Sequence, residues 1–388
     1  MAIKMPPPPD WSDEQGDLFA NAPLGKNILV LGPPGTGKTV MGIHLANRAV
    51  RDGQMGKVNL LMFNHTLRAY AGDWEGLESG VGVFTYHQWG YRLGRTVADE
   101  MPCFPGDSYA YDWQSFRAAL ERSPQSIGCV VVDEGQDLPP DFYSVVGMTS
   151  QLSPGACMVV TADENQQITK GQNSDIKQIR AGLSSGLPLD EFCLTRNYRN
   201  SRPIAELAGE FYVGLESGVP ALPERKGSSP NLRWKASLEE MLEPAMNTVR
   251  TGTESVLVIC PDAKTVKDAF AVMREGLAGD RCRVEAYLSP KKWLAGDKEW
   301  RVGEPGVASI VHFRSMKGLE ADAVYVPRVE RMNFGKGNAI HESMYLYVMS
   351  SRARNRLEFV ATTGSPEGGS LMPLLRRAIA KGLLRERR

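Results

Sequence analysis

Gly32-Pro33-Pro34-Gly35-Thr36-Gly37-Lys38-Thr39 fits the spacing G-x-x-x-x-G-K-[ST]. In such a segment the glycines let backbone N–H groups turn inward around a polyphosphate, and the start of a following helix adds its dipole. Gly32, Pro34, Gly35, Thr36 and Gly37 would form the cradle. Lys38 would place a point charge on the β- and γ-phosphates, and the Thr39 hydroxyl would ligate Mg²⁺. Cys129-Val130-Val131-Val132-Asp133-Glu134 is an apolar run ending in two acids. Asp133 suits a Mg²⁺ ligand, and Glu134 suits a group that orients or deprotonates an attacking water. A strand ending in Asp-Glu is weak by itself, because acids also cap helices. Beside the phosphate loop it implies a nucleoside triphosphatase, without saying what hydrolysis drives.

Elements must hold these residues. Apolar runs recur at Asn27–Leu31, Val58–Phe63, Val81–Thr85, Cys129–Asp133, Met158–Thr161, Ser255–Cys260, Val307–Val311, Ala323–Val326 and Leu357–Ala361. Near-continuous Val/Ile/Leu runs suit parallel strands buried on both faces. Helical patterns lie between them, at Thr39–Arg51, Trp113–Glu121, Arg202–Val213 and Ala263–Gly276. The alternation predicts α/β architecture. The Gly/Ser/Pro-rich stretch Gly182–Pro188 marks a boundary between two halves, and Gly218–Pro230 reads as a loop. Residues 6–9 are prolines, so 1–10 is read as a polyproline lead-in. The basic tail Arg376–Arg388 is read as a solvated helix end.

Composition sets outer limits. The 388 residues, 42% hydrophobic and 23% charged, suit a globular chain and exclude a disordered or collagen-like one. No run approaches the ~18 apolar residues of a membrane span, and the first residues lack an apolar signal core. Lys+Arg and Asp+Glu are 45 each, so bulk charge offers no argument for nucleic acid and any basic groove must be local. The six cysteines form no CxxC pair and no metal-ligand spacing. They are read as reduced thiols of a cytoplasmic protein.

Further motifs carry a resemblance. Asp133-Glu134-Gly135-Gln136-Asp137 resembles the DExQD signature of superfamily 1 helicases of the UvrD/Rep type. The resemblance continues in order along the chain. Trp11–Gln15 is similar to the family's Q motif. Phe63–Thr66 and Thr85–Trp89 are similar to two strand-contacting motifs, and Ala162–Gln166 to GDxxQ. Leu194–Asn200 is similar to the NYR motif, Arg314–Glu320 carries KGLE, and Tyr347–Ala353 is similar to YVAxTRA.

The resemblance implies two RecA-like P-loop lobes with parallel sheets flanked by helices and an ATP cleft between them. They would span residues 11–192, with a small insertion at about 91–128, and 193–388. It implies that Gln15 reads adenine, Gln166 senses the γ-phosphate, Tyr198 stacks on adenine, Glu320 accepts from the ribose hydroxyl, and Gly318 belongs to the ATP-binding set. Arg199 and Arg352 would act as arginine fingers on charge developing at the γ-phosphate. Single-stranded nucleic acid, DNA favoured over RNA, would contact Asn64, Thr66, Thr85, His87 and Trp89 on the first lobe and Arg314 and Ser315 on the second.

The chain departs from the family in three ways. Gln167-Ile168-Thr169-Lys170 lacks the family's aromatic pair. Arg314 stands where the family has histidine. The large insertions of bigger members have no room. The expected activity is Mg²⁺-dependent ATP hydrolysis coupled to movement along a single strand, 3′→5′ by the resemblance. A nucleic-acid-stimulated ATPase subunit that gates a partner effector such as a nuclease is the main rival, the partner supplying what the insertions lack. A nucleotide switch that remodels proteins is a second.

Overall fold

The structure, a computed structural model, describes residues 11–53, 57–62, 76–107, 110–122, 127–149, 156–166, 173–288, 292–293, 301–332, 334, 339–365 and 371–387. It comprises two compact units. The N-terminal unit runs to Thr195 and takes in Glu216–Gly218; the C-terminal unit is Arg196–Leu215 with Val219–Arg388.

The N-terminal unit contains, in order, α1 (Asp13–Asn21), β1 (Asn27–Leu31), α2 (Lys38–Arg51), β2 (Val58–Met62), β3 (Val81–Thr85), α3 (Tyr86–Val97), α4 (Trp113–Arg122), β4 (Cys129–Val132), α5 (Pro140–Thr149), β5 (Cys157–Ala162), α6 (Ile176–Ser184) and β6 (Leu189–Cys193). Its strands pair parallel in the order β3-β2-β4-β5-β1-β6. Successive side chains of a strand point to opposite faces. Ile28 and Val30 of β1 therefore pack with Met41, Ile43 and Leu45 of α2. Leu29 and Leu31 pack into the core that holds Trp89, Trp113, Phe116, Phe142 and Ile179, from α3, α4, α5 and α6. With helices on both faces, the strands carry no polar face, which is why they read as continuous apolar runs.

The C-terminal unit contains α7 (Arg202–Glu210), β7 (Asn231–Lys235), α8 (Leu238–Arg250), β8 (Val256–Cys260), α9 (Ala263–Gly276), β9 (Arg283–Leu288), β10 (Lys292–Trp293), β11 (Val307–His312), β12 (Ala321–Pro327), α10 (Ala339–Ser351), β13 (Ala353–Thr362), α11 (Met372–Ala380) and β14 (Arg385–Arg387). The sheet order is β10-β9-β11-β8-β12-β13-β7-β14, parallel except for β10 against β9. The cluster on one face joins α8 and α9 to Val256, Val258, Ile310 and Tyr325.

Both units are thus parallel α/β sheets flanked by helices, the fold class expected. Several details differ. The Gly182–Pro188 stretch is no boundary: β6 follows it and pairs with β1 in the first sheet. Strands β6, β7 and β14 are not evident in the sequence because Leu-Asp-Glu-Phe-Cys, Asn-Leu-Arg-Trp-Lys and Arg-Glu-Arg carry charges at half-exposed or exposed positions, where burial does not demand apolar runs. The tail is not merely a helix end: after α11 it returns as β14 beside β7. Its Arg376 bonds Glu386, and Arg377 and Lys381 pair with Glu210. Within the 91–128 stretch, Trp113, Phe116 and Leu120 of α4 are buried in the sheet's own core. All six cysteines are free thiols. Among the described residues, no helix is long and apolar enough to cross a membrane.

Candidate functional site

Residues 32–39 link β1 to α2 at the carboxyl edge of the first sheet. Gly35 and Gly37 have φ of 84° and 86°, a left-handed backbone that only glycine adopts without strain. At Gly37, the N-cap of α2, a Cβ would also lie 2.5 Å from Gln15 Nε2. The buried Lys38 turns back on the loop, donating to Gly32 O at 2.5 Å and Pro33 O at 3.0 Å. Thr36 Oγ1 donates to Pro33 O. Gln15 is the N3 residue of the α1 capping box: its Oε1 accepts from Ser12 N, and its Nε2 donates to Thr36 O at 3.3 Å. The side chain expected to read a base thus ties α1 to the phosphate loop.

The adjacent strand order β4-β5-β1 brings three carboxyl ends together, the position at which open α/β sheets bind ligands. Asp133, after β4, accepts from Thr39 Oγ1 at 2.9 Å and from Thr161 Oγ1 of β5 at 2.7 Å. Burial and the neighbouring Glu134 charge push its carboxyl up to about 6, against the pull of both hydroxyls and of Lys38. Among the described residues no cluster of three or more metal-ligating side chains exists. A hydroxyl and one carboxylate in contact fit Mg²⁺, which takes few protein oxygens and fills its octahedron with phosphate and water.

Glu134 has φ 57°, a left-handed conformation that costs a non-glycine residue on the order of 1–3 kcal/mol. Its carboxylate accepts from Gln136 Nε2 at 2.6 Å. Gln136 Oε1 in turn accepts from Asp163 N at 2.9 Å, so Gln136 joins the ends of β4 and β5. Gln166, in the turn after β5, donates to Asp163 Oδ2 at 2.8 Å. Asp163 Oδ1 accepts from Ser217 Oγ, which is how the returning segment Glu216–Gly218 attaches. The sequence reading gives Gln136 and Thr161 no role. Gln136 stands inside the DEGQD string, and Thr161 is the lone hydroxyl near the end of an apolar strand, so both were visible signals.

The residues expected to touch a strand are scattered. Asn64 and Thr66 lie outside the described residues. Thr85 is almost fully buried and caps α3, its Oγ1 accepting from Gln88 N. Trp89 is 5% exposed and packs against Trp113 and Phe142. Thr85 and Trp89 are thus a cap and a core ring, correcting the expectation that they face a strand: polar-cap and apolar burial each use up the surface a base would need. His87 is half-buried against Tyr86 and Tyr111. Arg314 is exposed and its guanidinium lies over the Phe313 ring, with Ser315 beside it in the turn after β11.

In the C-terminal unit three motifs distant in sequence converge. Arg199 Nε donates to Glu320 at 2.5 Å, and Arg354 bonds the other oxygen of the same carboxylate. Burial pushes the Glu320 carboxyl up, but the two guanidinium charges prevail and hold it at about 2. Asn200 Nδ2 donates to Ser351 O and Ala353 O, and Asn197 Oδ1 accepts from the Arg199 and Asn200 amides. Arg352 is 1% exposed and donates to Val348 O, Leu319 O and Ser351 Oγ. Gly318 has φ 78° in the same turn, two residues before Glu320. Tyr198 is 40% exposed with the Arg196 guanidinium 5.6 Å over its ring. Arg354, the second residue of β13, stands outside the motif that ends at Ala353, so no motif signal points to its role.

A family profile described as Schlafen group 3, DNA/RNA helicase domain, matches residues 25–209. That span contains the phosphate loop, the Asp133-Glu134 pair and the segment through Arg199. No curated protein sequence matches the chain. Three solved structures are similar. The C-terminal domain of a possible DNA helicase from Lactobacillus plantarum WCFS1 is 22% identical with a TM-score of 0.34, over 49% of this chain and 98% of that one. The Escherichia coli DEAH/RHA helicase HrpB is 10% identical with a TM-score of 0.48, over 92% of this chain. The DUF1998 helicase MrfA, solved bound to DNA, is 9% identical with a TM-score of 0.46, over 95% of this chain. This chain spans only 43% of the HrpB chain and 48% of the MrfA chain. Its N-terminal unit is thus similar in sequence to a helicase domain.

Proposed function

We propose that this protein is an ATP-driven translocase of single-stranded nucleic acid, DNA favoured over RNA, with the 3′→5′ polarity that the resemblance to UvrD/Rep helicases carries. The single observation behind it is the junction of Thr39, Asp133 and Glu134 beside the Gly32–Thr39 loop at one sheet edge. In this reading Lys38 leaves Gly32 O and Pro33 O for phosphate oxygens, and Asp133 and Thr39 would hold Mg²⁺, whose charge would offset that developing on the phosphates. Glu134, oriented by Gln136, takes a proton from water, and Gln166 relays the change through Asp163. Arg199 and Arg352 are proposed to stabilise the transition state, for which each must exchange part of its present hydrogen bonding. The matched helicase profile supports a nucleic-acid track rather than a protein substrate.

The test is ATP turnover with and without single-stranded DNA, single-stranded RNA and duplex, at stated salt. Stimulation by single strands is expected, and a rate indifferent to all three would sink the reading. A second reading, a nucleic-acid-stimulated ATPase that regulates a partner effector without unwinding, is favoured by the burial of α4 in the sheet core, which leaves that stretch no separate duplex-gripping body. Strand displacement by the isolated chain separates the two.

A further inference from the structure

A groove of about 700 Å³ opens in the N-terminal unit, lined by α3, β2, the end of β3 and the approach to β4. It is separate from the phosphate loop. Lys57 and Ile127 stand where β2 and β4 begin, the opposite end of those strands from Asp133. Gly128 shapes this end: it has φ 69°, and a Cβ there would lie 1.9 Å from Lys57 O. Any side chain at 128 would push the two strand entries apart.

The groove's chemistry is one-sided. Lys57, Arg92 and Arg95 line it, and among the described residues no carboxylate does. All three cations are exposed, and among the described residues none ion-pairs with an acid. Arg92 lies 4.6 Å over the Phe84 ring, and Arg95 lies 5.9 Å from the centroid of Tyr91, itself 54% exposed. Arg92 and Arg95 are three apart on α3, so they stand on one face about one helical turn apart. In a chain of zero formal net charge, this is a local concentration of cations interleaved with aromatic faces.

We propose that this groove is a second contact for single-stranded nucleic acid, gripping the strand away from the catalytic edge. Lys57 and the two guanidinium groups take backbone phosphates, and a base stacks on Tyr91. The flat rings favour a nucleic acid over an acidic peptide, whose carboxylates need cations but no stacking surface. The site accounts for how a chain without aromatics after Gln166, and with Trp89 reaching this groove by only a 5% exposed edge, holds bases. It rests on the translocase reading and adds a place to it.

The experiment is fluorescence anisotropy of a labelled oligo-dT with the full chain, without nucleotide, across a salt series, for the unaltered protein, R92A/R95A and Y91A. These residues are exposed, so the variants fold. R92A/R95A should bind at least about 10-fold more weakly, with the log–log salt slope reduced by about 0.7 per lost contact. Y91A should weaken binding with the slope unchanged. Equal affinity of R92A/R95A and the unaltered protein would overturn the groove, as would polyglutamate of matched charge displacing the oligonucleotide as well as unlabelled oligo-dT does. ATP turnover of the unaltered chain judges the translocase reading separately: binding without stimulation removes that reading and leaves the groove standing.

Discussion

Arg199 and Glu320, 121 positions apart in the chain, form an ion pair at 2.5 Å in which the same carboxylate also holds Arg354. The resemblance assigns Arg199 to the γ-phosphate and Glu320 to the ribose, which are separate tasks. The structure makes them one unit of three side chains, with Glu320 as the shared anion. Removing Glu320 therefore leaves two neighbouring cations facing each other, and it frees Arg199 at the same time.

Glu320→Gln should destabilise the protein at pH 7 by roughly 1–3 kcal/mol. The sign follows from the depressed carboxyl. Its pKa is about 2 against an ordinary 4.5, so the folded state prefers the ionised form. That stability is complete above about pH 4.5 and is lost as pH falls towards 2. The gap between the unaltered and Gln proteins, read by urea denaturation, should shrink between pH 4.5 and 3. A gap independent of pH would show that the carboxylate charge is not what matters.

Arg352→Ala should lower both turnover and stability, because the guanidinium is buried and satisfies Val348 O, Leu319 O and Ser351 Oγ. Leaving such acceptors unpaired costs about 1–3 kcal/mol each where water cannot reach them. Arg352→Lys should recover part of the melting temperature while turnover stays low, since a point charge does not reproduce a planar fork. Recovery of both by Lys would assign Arg352 a charge role alone.

Lys38→Ala should cut ATP turnover by at least about 100-fold, the scale of losing one preorganised charge on a transition state. Chelating Mg²⁺ should do the same in the unaltered protein, and Asp133→Asn should raise the Mg²⁺ concentration needed for half-maximal rate. A steady-state assay over a Mg²⁺ series checks all three. Mg²⁺-independent turnover would exclude Asp133 and Thr39 as its ligands.

Trp89→Ala should cost about 3–5 kcal/mol, as expected of a large ring lost from a packed core. An exposed stacking platform at this position would instead change stability by no more than about 0.5 kcal/mol. Chemical denaturation of the purified variant decides between these.

The candidate site of the N-terminal unit was legible because its residues are close in sequence. A phosphate cradle needs its glycines, lysine and threonine in eight consecutive residues, and Asp133-Glu134 advertise themselves by ending an apolar run. Fold class was legible for a similar reason, since strands buried on both faces must be apolar throughout. Edge strands β6 and β14, and the half-exposed end of β7, escaped because half-exposed positions place no such demand.

Exposure, by contrast, was decided only by packing. Nothing in Thr85-Tyr86-His87-Gln88-Trp89 distinguishes a surface platform from a cap followed by a core ring; α4 and α5 closing over Trp89 make it the latter. Likewise, the partners of a charge lie wherever the chain returns. Glu320 meets Arg199 and Arg354, while Arg92 and Arg95 meet aromatic faces and, among the described residues, no acid. Sequence specifies which groups exist and their local spacing. Only the folded chain settles which are dry, which are neutralised and which stay open to a ligand, because burial and ion pairing depend on distances between segments that composition does not encode.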